Sequence, residues 1–281
     1  MNYSNYSVLM SVYYKEKPDN LRMAMDSMWN QSIPSDDFVL VCDGPLNPEL
    51  DSVISTMEKD HPGVINVIRL ERNEGLGKAL NIGMDHCKND LVARMDSDDI
   101  SRPYRCERQL EYFCKNAEVS IVSGTVEEFE ESVEKIKYRK NLPEHQDEIV
   151  LYARKRNPFN HPCVMFKKDD VKKAGGYQDF YLLEDYYLWT RMFQNGCKGY
   201  NIQEPLLWMR TGADIYKRRS GIKYALSQRN LFKYMKNCGL INSFEYTRNV
   251  FIRCMSSMIP NYMRRFLFHI FLRTKNDLRI Q

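Results

Sequence analysis

Short apolar runs alternate with amphipathic stretches along the first 123 residues of the chain. In one amphipathic stretch, Leu21, Met25 and Met28 recur at helical spacing. The apolar runs are rich in β-branched and aromatic residues and predict strands at 7–14, 38–42, 64–70, 91–95 and 119–123. Strands that alternate with helices form βαβ units, so the pattern predicts an α/β fold with a mainly parallel sheet flanked by helices.

This alternation stops after about residue 125. The segment 127–140 is rich in charged residues and predicts a solvated connection. A turn-rich loop at 157–162 precedes a strand predicted at 163–167, and residues 183–189 begin a further helix. We therefore expect the second part of the chain to be organised differently from the first.

The cysteines and the N-terminus favour a cytoplasmic protein. Eight cysteines are scattered without a C-x-x-C pair or a histidine at zinc-site spacing, as expected for reduced thiols. The first ten residues have no basic segment followed by a cleavable apolar one, and no apolar run approaches the ~20 residues of a membrane-spanning helix. At 43% hydrophobic residues the chain has enough apolar side chains for a full core.

The net charge of +4 hides a division along the chain. Residues 205–281 contain fifteen Lys and Arg against three Asp and Glu, whereas residues 1–204 contain twenty-six against thirty-four. This asymmetry predicts that the C-terminal part meets an anionic surface. Nucleic acids and membranes are both anionic, so charge alone leaves the choice between them open.

Three carboxylates follow the fourth predicted strand within four positions: Asp96, Asp98 and Asp99. Like charges at one strand end repel each other unless a cation neutralises them. Mg²⁺ is commonly held by one or two carboxylates and substrate phosphates, and ligands of open α/β sheets bind beyond the carboxyl ends of strands. The stretch therefore indicates a metal–diphosphate site, although an acidic surface turn explains the same residues.

The turn after the first strand excludes several nucleotide-binding classes. Residues 13–18, YYKEKP, contain no glycine, so the G-x-G-x-x-G of dinucleotide-binding folds is absent, as is a P-loop. The glycine-rich first turn of most sugar nucleotidyltransferases is also missing. An aspartyl phosphatase would carry its D-x-D after the first strand, which leaves the D-x-D after the fourth strand to be explained.

The order and spacing of the motifs supply that explanation. The succession SVLMSVYY, VCDG, RNEGLGKALNIG, ARMDSDD, NHPCVMF, GGY and LEDYYLW resembles the family 2 inverting glycosyltransferases, in particular the bacterial enzymes of capsule, exopolysaccharide and O-antigen synthesis. The resemblance covers roughly residues 7–210. It implies the GT-A fold, a nucleotide-diphospho-sugar donor that we expect to be a UDP-sugar, and a lipid-linked saccharide or oligosaccharide acceptor.

The resemblance also implies roles for residues that contact the donor. Asp43 matches the carboxylate that contacts the uracil or ribose of the nucleotide, although an aspartate in a turn before Gly-Pro is common. Asn73 and Gly75 match the segment beside the nucleotide, where a helix begins and favours an anionic ligand. Arg94 is expected to meet phosphate or the acidic cluster. His161 is expected to contact substrate, with a structural role as the alternative.

Two further groups of carboxylates receive roles from the resemblance. Asp96 and Asp98 match the D-x-D pair that holds Mn²⁺ or Mg²⁺ with the donor, and Asp98 is the expected direct ligand. Asp185 matches the catalytic base that takes the proton of the acceptor hydroxyl, and Glu184 is expected to contact substrate beside it. A helix-stabilising acid pair is the alternative explanation for the latter two.

The resemblance divides the chain into three parts. Residues 1–124 correspond to the nucleotide-sugar-binding half of the GT-A domain, and 125–215 to the half that binds acceptor and carries the base. Residues 216–281 form a basic helical tail, whose apolar runs and basic margins are typical of a helix in the membrane interface. We therefore expect an anionic membrane surface as partner and a peripheral location on the inner face of the cell membrane. A helical pair packed on the catalytic domain is the alternative.

Two other functions stay open for this sequence. One is sugar nucleotidyl transfer on the same general fold. The other is non-enzymatic binding of nucleotide or nucleic acid by the basic tail. The tail contains no recognisable nucleic-acid module, so no nucleic-acid partner is expected.

Overall fold

The computed structural model describes residues 3–212, 220–258 and 274–275. Strands and helices alternate through its first part, as the sequence pattern predicts. The elements in chain order are β1 (Tyr6–Val12), α1 (Pro18–Trp29), β2 (Asp37–Cys42), α2 (Pro48–Asp60), β3 (Ile65–Arg69), α3 (Leu76–His86), β4 (Leu91–Asp96), β5 (Ile100–Ser101), α4 (Arg105–Lys115) and β6 (Val119–Phe129).

The second part contains shorter strands and more connecting chain. Its elements are β7 (Tyr138–Lys140), α5 (Gln146–Ala153), β8 (Met165–Lys167), α6 (Lys168–Lys173), α7 (Glu184–Gln194), β9 (Lys198–Arg210), α8 (Gly221–Asn237), α9 (Ser243–Met258) and β10 (Thr274–Lys275). The strand predicted at 163–167 is shorter than expected, because His161–Cys163 form a 3₁₀ turn before it.

The described strands form one sheet in the order β10–β7–β6–β8–β4–β1–β2–β3, with β9 paired to β6 and β5. The strands β1 to β4 pair in parallel, whereas β8 pairs antiparallel with β4 and β6. Ser11 pairs with Asp96, and Val12 with Cys42. The carboxyl ends of β1, β2 and β4 therefore lie side by side, at the end of the sheet where ligands of such folds bind.

Apolar layers cover both faces of this sheet. Met10 of β1 belongs to the layer formed with α1, α2 and α4, while its neighbour Leu9 belongs to the layer with α3 and α7. Successive side chains of a strand point to opposite faces, and burial of both explains the continuous apolar strands. The predicted α/β class, with a sheet flanked by helices, is confirmed.

The prediction of a solvated connection at 127–140 is wrong. The strand β6 continues to Phe129, and β7 pairs with it antiparallel. Glu127 is 4% exposed and makes ion pairs with Arg102 and Arg139. Paired charges can occupy a strand of the sheet, so charge-rich composition alone was misleading here. Because β6 runs through residue 124, the predicted division of the domain after that residue falls within one strand.

The helices α8 and α9 pack on the rest of the α/β fold. Leu231 and Phe232 of α8 are buried with Tyr186 of α7 in a third apolar cluster. Glu245 of α9 makes an ion pair with Arg154 at the end of α5. Among the described residues, none of the helices is both long and apolar enough to cross a membrane. Most of the second half of the predicted tail, with Pro260, lies outside the described residues.

Candidate active site

The acidic cluster lies where β4 ends. Asp96 is the last residue of this strand, and one carboxylate oxygen from each of Asp96, Asp98 and Asp99 lies within 4.8 Å of the others. Asp96 and Asp98 are half-buried and Asp99 is buried. Carboxylate oxygens are the ligands that hard divalent cations take, so the donor set fits Mg²⁺ or Mn²⁺. The structure therefore brings together the carboxylates that the sequence analysis proposed.

Repulsion within the cluster affects the pKa of Asp99, its most buried member. Burial raises the pKa of Asp99 well above its ordinary value, and the charges of Asp98 and Asp96 raise it further. The backbone N–H of Arg210 donates to Oδ1 of Asp99 at 2.7 Å and opposes this shift. A cation among these carboxylates would offset the cost of their repulsion.

Arg94 is fully buried in β4, on the same face of the strand as Asp96. Its Nη2 donates to Oδ1 of Asp96 at 2.5 Å. Its Nε and Nη1 have no hydrogen-bond partner in the described part of the chain. Arg94 was expected to meet phosphate or the acidic cluster, and in the structure it contacts the acidic cluster.

Arg210, at the end of β9, contacts the turn that carries the acidic cluster. Its Nε donates to the carbonyl oxygen of Asp98 at 2.9 Å, and its guanidinium lies 4.6 Å from the centre of the Phe129 ring. The antiparallel pairing of β5 with β9, Ile100 with Trp208, brings it there. Arg210 thereby fixes the backbone of the turn that carries the carboxylates.

Asp43 organises the neighbouring loop at the end of β2. Its carboxylate accepts hydrogen bonds from the Asn73 amide at 2.9 Å and from the backbone N–H groups of Glu74 and Gly75 at 2.7 and 3.1 Å. The loop approaches so closely that a Cβ on Gly44 would lie 2.7 Å from the backbone nitrogen of Asn73. Gly44 also has a φ of +89°, which favours glycine. The three residues predicted at the nucleotide are thus held as one unit.

The predicted base lies at the start of α7. Oδ2 of Asp185 accepts a hydrogen bond from the Asn157 amide at 2.5 Å, and Oδ1 accepts one from the backbone N–H of Tyr186 at 2.7 Å. Both Asp185 and Glu184 are half-buried. Burial, and then the charge of Asp185, raises the pKa of Glu184 from 4.5 to about 7. The pair therefore carries less negative charge at neutral pH than two surface carboxylates would.

His161 lies beside this helix within an aromatic group. Its Nε2 is 2.9 Å from the hydroxyl oxygen of Tyr177, and its ring centre is 6.0 Å from that of Trp189. Burial, and then the positive charge of Arg94, lowers the pKa of His161 well below its ordinary value, so the imidazole stays neutral. Its contact with substrate stays a prediction. Trp189 is fully buried and belongs to the core.

The loop held by Asp43, the acidic cluster and the start of α7 meet at one end of the sheet. A Cβ on Gly77, in the first turn of α3, would lie 3.8 Å from Cβ of Glu184. The N-termini of α3 and α7 are therefore adjacent, and both favour negative charge near them. The positive charge of Arg94 lowers the pKa of Glu184 as well as that of His161. The acidic cluster and the Glu184–Asp185 pair thus lie close to these two helix N-termini, which suit an anionic ligand.

Several polar residues of the site escaped the sequence analysis. Oε2 of Glu16, after β1, accepts a hydrogen bond from the Ser97 hydroxyl at 3.1 Å. Asn157 lies in the turn-rich loop that was noted, but its bond to Asp185 joins positions 28 residues apart. The ion pairs of Glu127 with Arg102 and Arg139 join β6, β7 and the chain that follows β5. Only the fold reveals such contacts, because no local pattern of residues encodes them.

The comparison with known families gives one match that covers more than half of the chain. Residues 7–175 match the model described as glycosyl transferase family 2. A curated relative from Escherichia coli, a UDP-Gal:α-D-GlcNAc-diphosphoundecaprenol β-1,3-galactosyltransferase, is 38% identical over 94% of this chain and 94% of its own length. The amylovoran biosynthesis glycosyltransferase AmsE of Erwinia amylovora is 39% identical over 94% of this chain and 97% of its own length.

Solved structures share the fold at low sequence identity. The mannosyltransferase PcManGT from Pyrobaculum calidifontis, solved with GDP-Man and Mn²⁺, superposes with a TM-score of 0.65 at 14% identity. The alignment covers 90% of this chain and 70% of that chain. This likeness concerns the fold, which is the GT-A arrangement expected from the sequence.

Proposed function

The chain belongs to glycosyl transferase family 2, and from this premise we propose that it is a metal-dependent inverting enzyme of bacterial surface polysaccharide synthesis. It moves a sugar from a UDP-sugar to a lipid-linked saccharide. One observation carries the proposal: the acidic cluster and the Glu184–Asp185 pair lie at the same end of the sheet, with the buried Arg94 acting on both. The E. coli relative, which by its name uses UDP-Gal and a diphosphoundecaprenol-linked GlcNAc, supports the classes of donor and acceptor.

The nucleotide of the donor binds at the loop held by Asp43. An ionised carboxylate offers about four lone-pair sites, and three hydrogen bonds from Asn73, Glu74 and Gly75 use part of this capacity. Asp43 can therefore accept one more hydrogen bond, from uracil or ribose, without leaving the loop. Its two roles, in the turn and at the nucleotide, are compatible.

Asp98, together with Asp96, holds a divalent cation. A bound Mn²⁺ or Mg²⁺ would supply positive charge that stabilises the leaving nucleoside diphosphate. The protein's part is to orient the ligands: Arg94 donates to the Asp96 carboxylate, and Arg210 donates to the backbone carbonyl of Asp98 and to the carboxylate of Asp99. The Mn²⁺ named with the structural neighbour PcManGT supports the choice of cation.

Asp185 takes the proton of the acceptor hydroxyl as that oxygen attacks the anomeric carbon. Inversion by a single displacement needs one base on the acceptor side, and an oriented carboxylate suffices. The Asn157 amide fixes one carboxylate oxygen of Asp185. The start of α7 stabilises the anion and weakens the base, whereas Glu184 opposes this when it is ionised.

A lipid-linked acceptor is anchored in the membrane, so the enzyme must bind at the membrane surface to reach it. Four exposed apolar side chains of α9, spaced i, i+7, i+8 and i+11, lie on one side of the helix: Phe244, Phe251, Ile252 and Met255. Exposed basic side chains extend along α8 at Lys223, Arg229, Lys233 and Lys236. An apolar helix face combined with basic residues suits the interface of an anionic membrane. We place the protein at the inner face of the cell membrane on this basis.

The donor reaction tests the proposal against its nearest rival. The purified protein is incubated with UDP-galactose, UDP-glucose or UDP-N-acetylhexosamines and Mn²⁺, and the released products are separated. Slow release of UDP that stops when the metal is chelated supports glycosyl transfer, because water replaces the acceptor. Formation of UDP-sugar and pyrophosphate from UTP and a sugar phosphate would instead identify a nucleotidyltransferase.

A further inference from the structure

A row of charged and aromatic side chains crosses three strands beside the acidic cluster. Glu127 of β6 pairs in register with Arg139 of β7 on one side and with Trp208 of β9 on the other. Arg102 follows β5, and its guanidinium lies 3.6 Å from the centre of the Trp208 ring. Residues paired across a sheet share a face, so these four side chains form one continuous surface, called here the cationic row.

The charges of the cationic row do not balance. Nη2 of Arg102 is 2.5 Å from Oε2 of Glu127, and Nη2 of Arg139 is 2.7 Å from its Oε1. One carboxylate thus serves two guanidinium groups, which leaves one positive charge in excess. Glu127 is nearly buried, but the side chains of Arg102 and Arg139 are 24% and 39% exposed. The excess charge is therefore accessible from the surface.

The face of β6 that carries Glu127 is connected by hydrogen bonds to the loop that contacts Asp185, the proposed catalytic base. Side chains alternate along a strand, so Glu127 shares its face with Ser123, whose hydroxyl exchanges hydrogen bonds with Asn160. Asn160 lies in the loop whose Asn157 bonds Asp185. At the other end, Phe129 pairs with Arg210, which contacts the turn of Asp98. The cationic row thus lies between the base and the end of β9, away from the nucleotide loop at Asp43.

We propose that the cationic row binds the diphosphate group of the lipid-linked acceptor; this rests on the proposed function. Arginine presents several N–H groups in a rigid fork that matches phosphate oxygens. Stacking on Trp208 holds the guanidinium of Arg102 flat, and the shared carboxylate positions both arginines before the ligand arrives. The donor has a diphosphate as well, but its expected place is at Asp96 and Asp98, in the turn that Arg210 bonds.

The test separates the two diphosphates by kinetics. Transfer is measured for the full chain with two acceptors, GlcNAc-diphospho-farnesol and a neutral alkyl GlcNAc glycoside, while UDP-sugar is varied independently. For Arg139→Gln we expect the KM of the diphosphate acceptor to rise about tenfold, as for loss of one charge-assisted hydrogen bond. The KM values of UDP-sugar and of the neutral glycoside should stay unchanged, and Arg139→Lys should recover part of the affinity.

Arg108→Gln is the matched control, because Arg108 is also a half-exposed arginine paired with glutamates, on α4. A rise in the KM of UDP-sugar in Arg139→Gln, with the acceptor KM unchanged, would assign the row to the donor and overturn the inference. Equal KM changes for both acceptors, or no change, would also overturn it. If the unaltered protein transfers sugar equally well to both acceptors, the cationic row does not recognise the diphosphate, and only this inference is overturned. If it transfers sugar to neither acceptor, the proposed function is overturned as well.

Discussion

At the scale of single residues, each carboxylate of the acidic cluster has a different set of partners. Asp96 is bonded by Arg94, and Asp99 accepts from the backbone of Arg210. The side chain of Asp98 is half-buried, and its backbone carbonyl accepts from Arg210. The motif resemblance gives Asp98 the role of direct ligand, and its half-buried place among the three carboxylates agrees with contact with a cation.

We expect Asp98→Ala to abolish metal-dependent donor binding and turnover while the protein stays folded. Removing one charge relieves the repulsion that raises the pKa of Asp99, so the melting temperature should stay equal or rise. Calorimetric titration with UDP and Mn²⁺, together with thermal unfolding, checks both parts. Asp85→Ala, which removes an exposed aspartate of α3, is the control. Near-normal turnover of Asp98→Ala at saturating donor would contradict the assignment.

Glu184 should make stability depend on pH. Its pKa is about 7 in the folded protein against an ordinary 4.5, so the folded state keeps a proton that the unfolded chain loses in this window. Stability contributed by Glu184 therefore falls as pH rises from about 4.5 to about 7, and the loss is complete above that. Glu184→Gln should melt higher than the unaltered protein at pH 8, with the difference vanishing toward pH 4.5. Melting curves of the metal-free proteins that stay parallel across this range would contradict the shifted pKa.

The chemical identity of the site residues could be predicted from the sequence, but their partners could not. The three aspartates after an apolar strand indicate a metal site because their charges must be offset. In contrast, the bond from Asn157 to Asp185 and the ion pairs of Glu127 depend on how distant elements pack. Glu127 in particular lies in a segment that looks solvated, and only its two arginines explain its burial.

At the scale of elements, the approach of α3 to the sheet depends on a glycine. A Cβ on Gly83 would lie 2.5 Å from Cδ1 of Leu9 and 2.7 Å from Cγ2 of Val41. Both are in core strands, so the contacts can be relieved only by shifting packed side chains or the helix itself. Gly77, six residues earlier in α3, has ordinary spacing instead, because a Cβ there would lie 3.6 Å from its nearest neighbour, Cβ of Tyr177.

We expect Gly83→Ala to lower the free energy of unfolding by about 1–3 kcal/mol, the usual cost of overpacking. Gly77→Ala is the matched control, and should leave it unchanged or raise it by up to about 1 kcal/mol, because alanine favours helix. Urea denaturation measures both variants. A Gly83→Ala protein as stable as the original would show that α3 is not held against β1 and β2 as described.

The alternating strands and helices of the first part follow directly from apolar periodicity, although β6 continues beyond the predicted 119–123 to Phe129. The second part was harder to predict, because its strands are short and pair with distant segments. The strand β7 has three residues and is placed in the sheet by its pairing with β6 and with β10. The two residues of β5 likewise pair with β9, more than a hundred positions away.

At the scale of the whole molecule, the division of charge predicts how the protein meets a membrane. Residues 205–281 contain fifteen Lys and Arg against three Asp and Glu, and each basic residue near an anionic leaflet contributes about 1 kcal/mol. The packing of α8 and α9 on the catalytic domain agrees with such a surface, because the apolar side of α9 still faces outward. Packing and the proposed membrane contact therefore involve opposite sides of the same helix.

We expect the full-length protein to sediment with anionic liposomes at low salt and to be partly released at high salt. Phe251→Asp should weaken sedimentation without loss of stability, because this side chain is 67% exposed. Met23→Asp, at a 39% exposed apolar residue of α1, is the control and should sediment normally. Equal sedimentation of all three proteins would contradict docking through α9.

The most direct test of the account is the mass of the acceptor after reaction. The protein, a UDP-sugar, Mn²⁺ and GlcNAc-diphospho-farnesol are incubated, and the lipid product is analysed by mass spectrometry. We predict the gain of one sugar residue, with kcat lowered by about 10²–10⁴ in Asp185→Asn because proton transfer to the base is lost. Donor affinity of this variant should be unchanged. An unmodified acceptor with every UDP-sugar, or an Asp185→Asn protein as active as the original, would contradict the account.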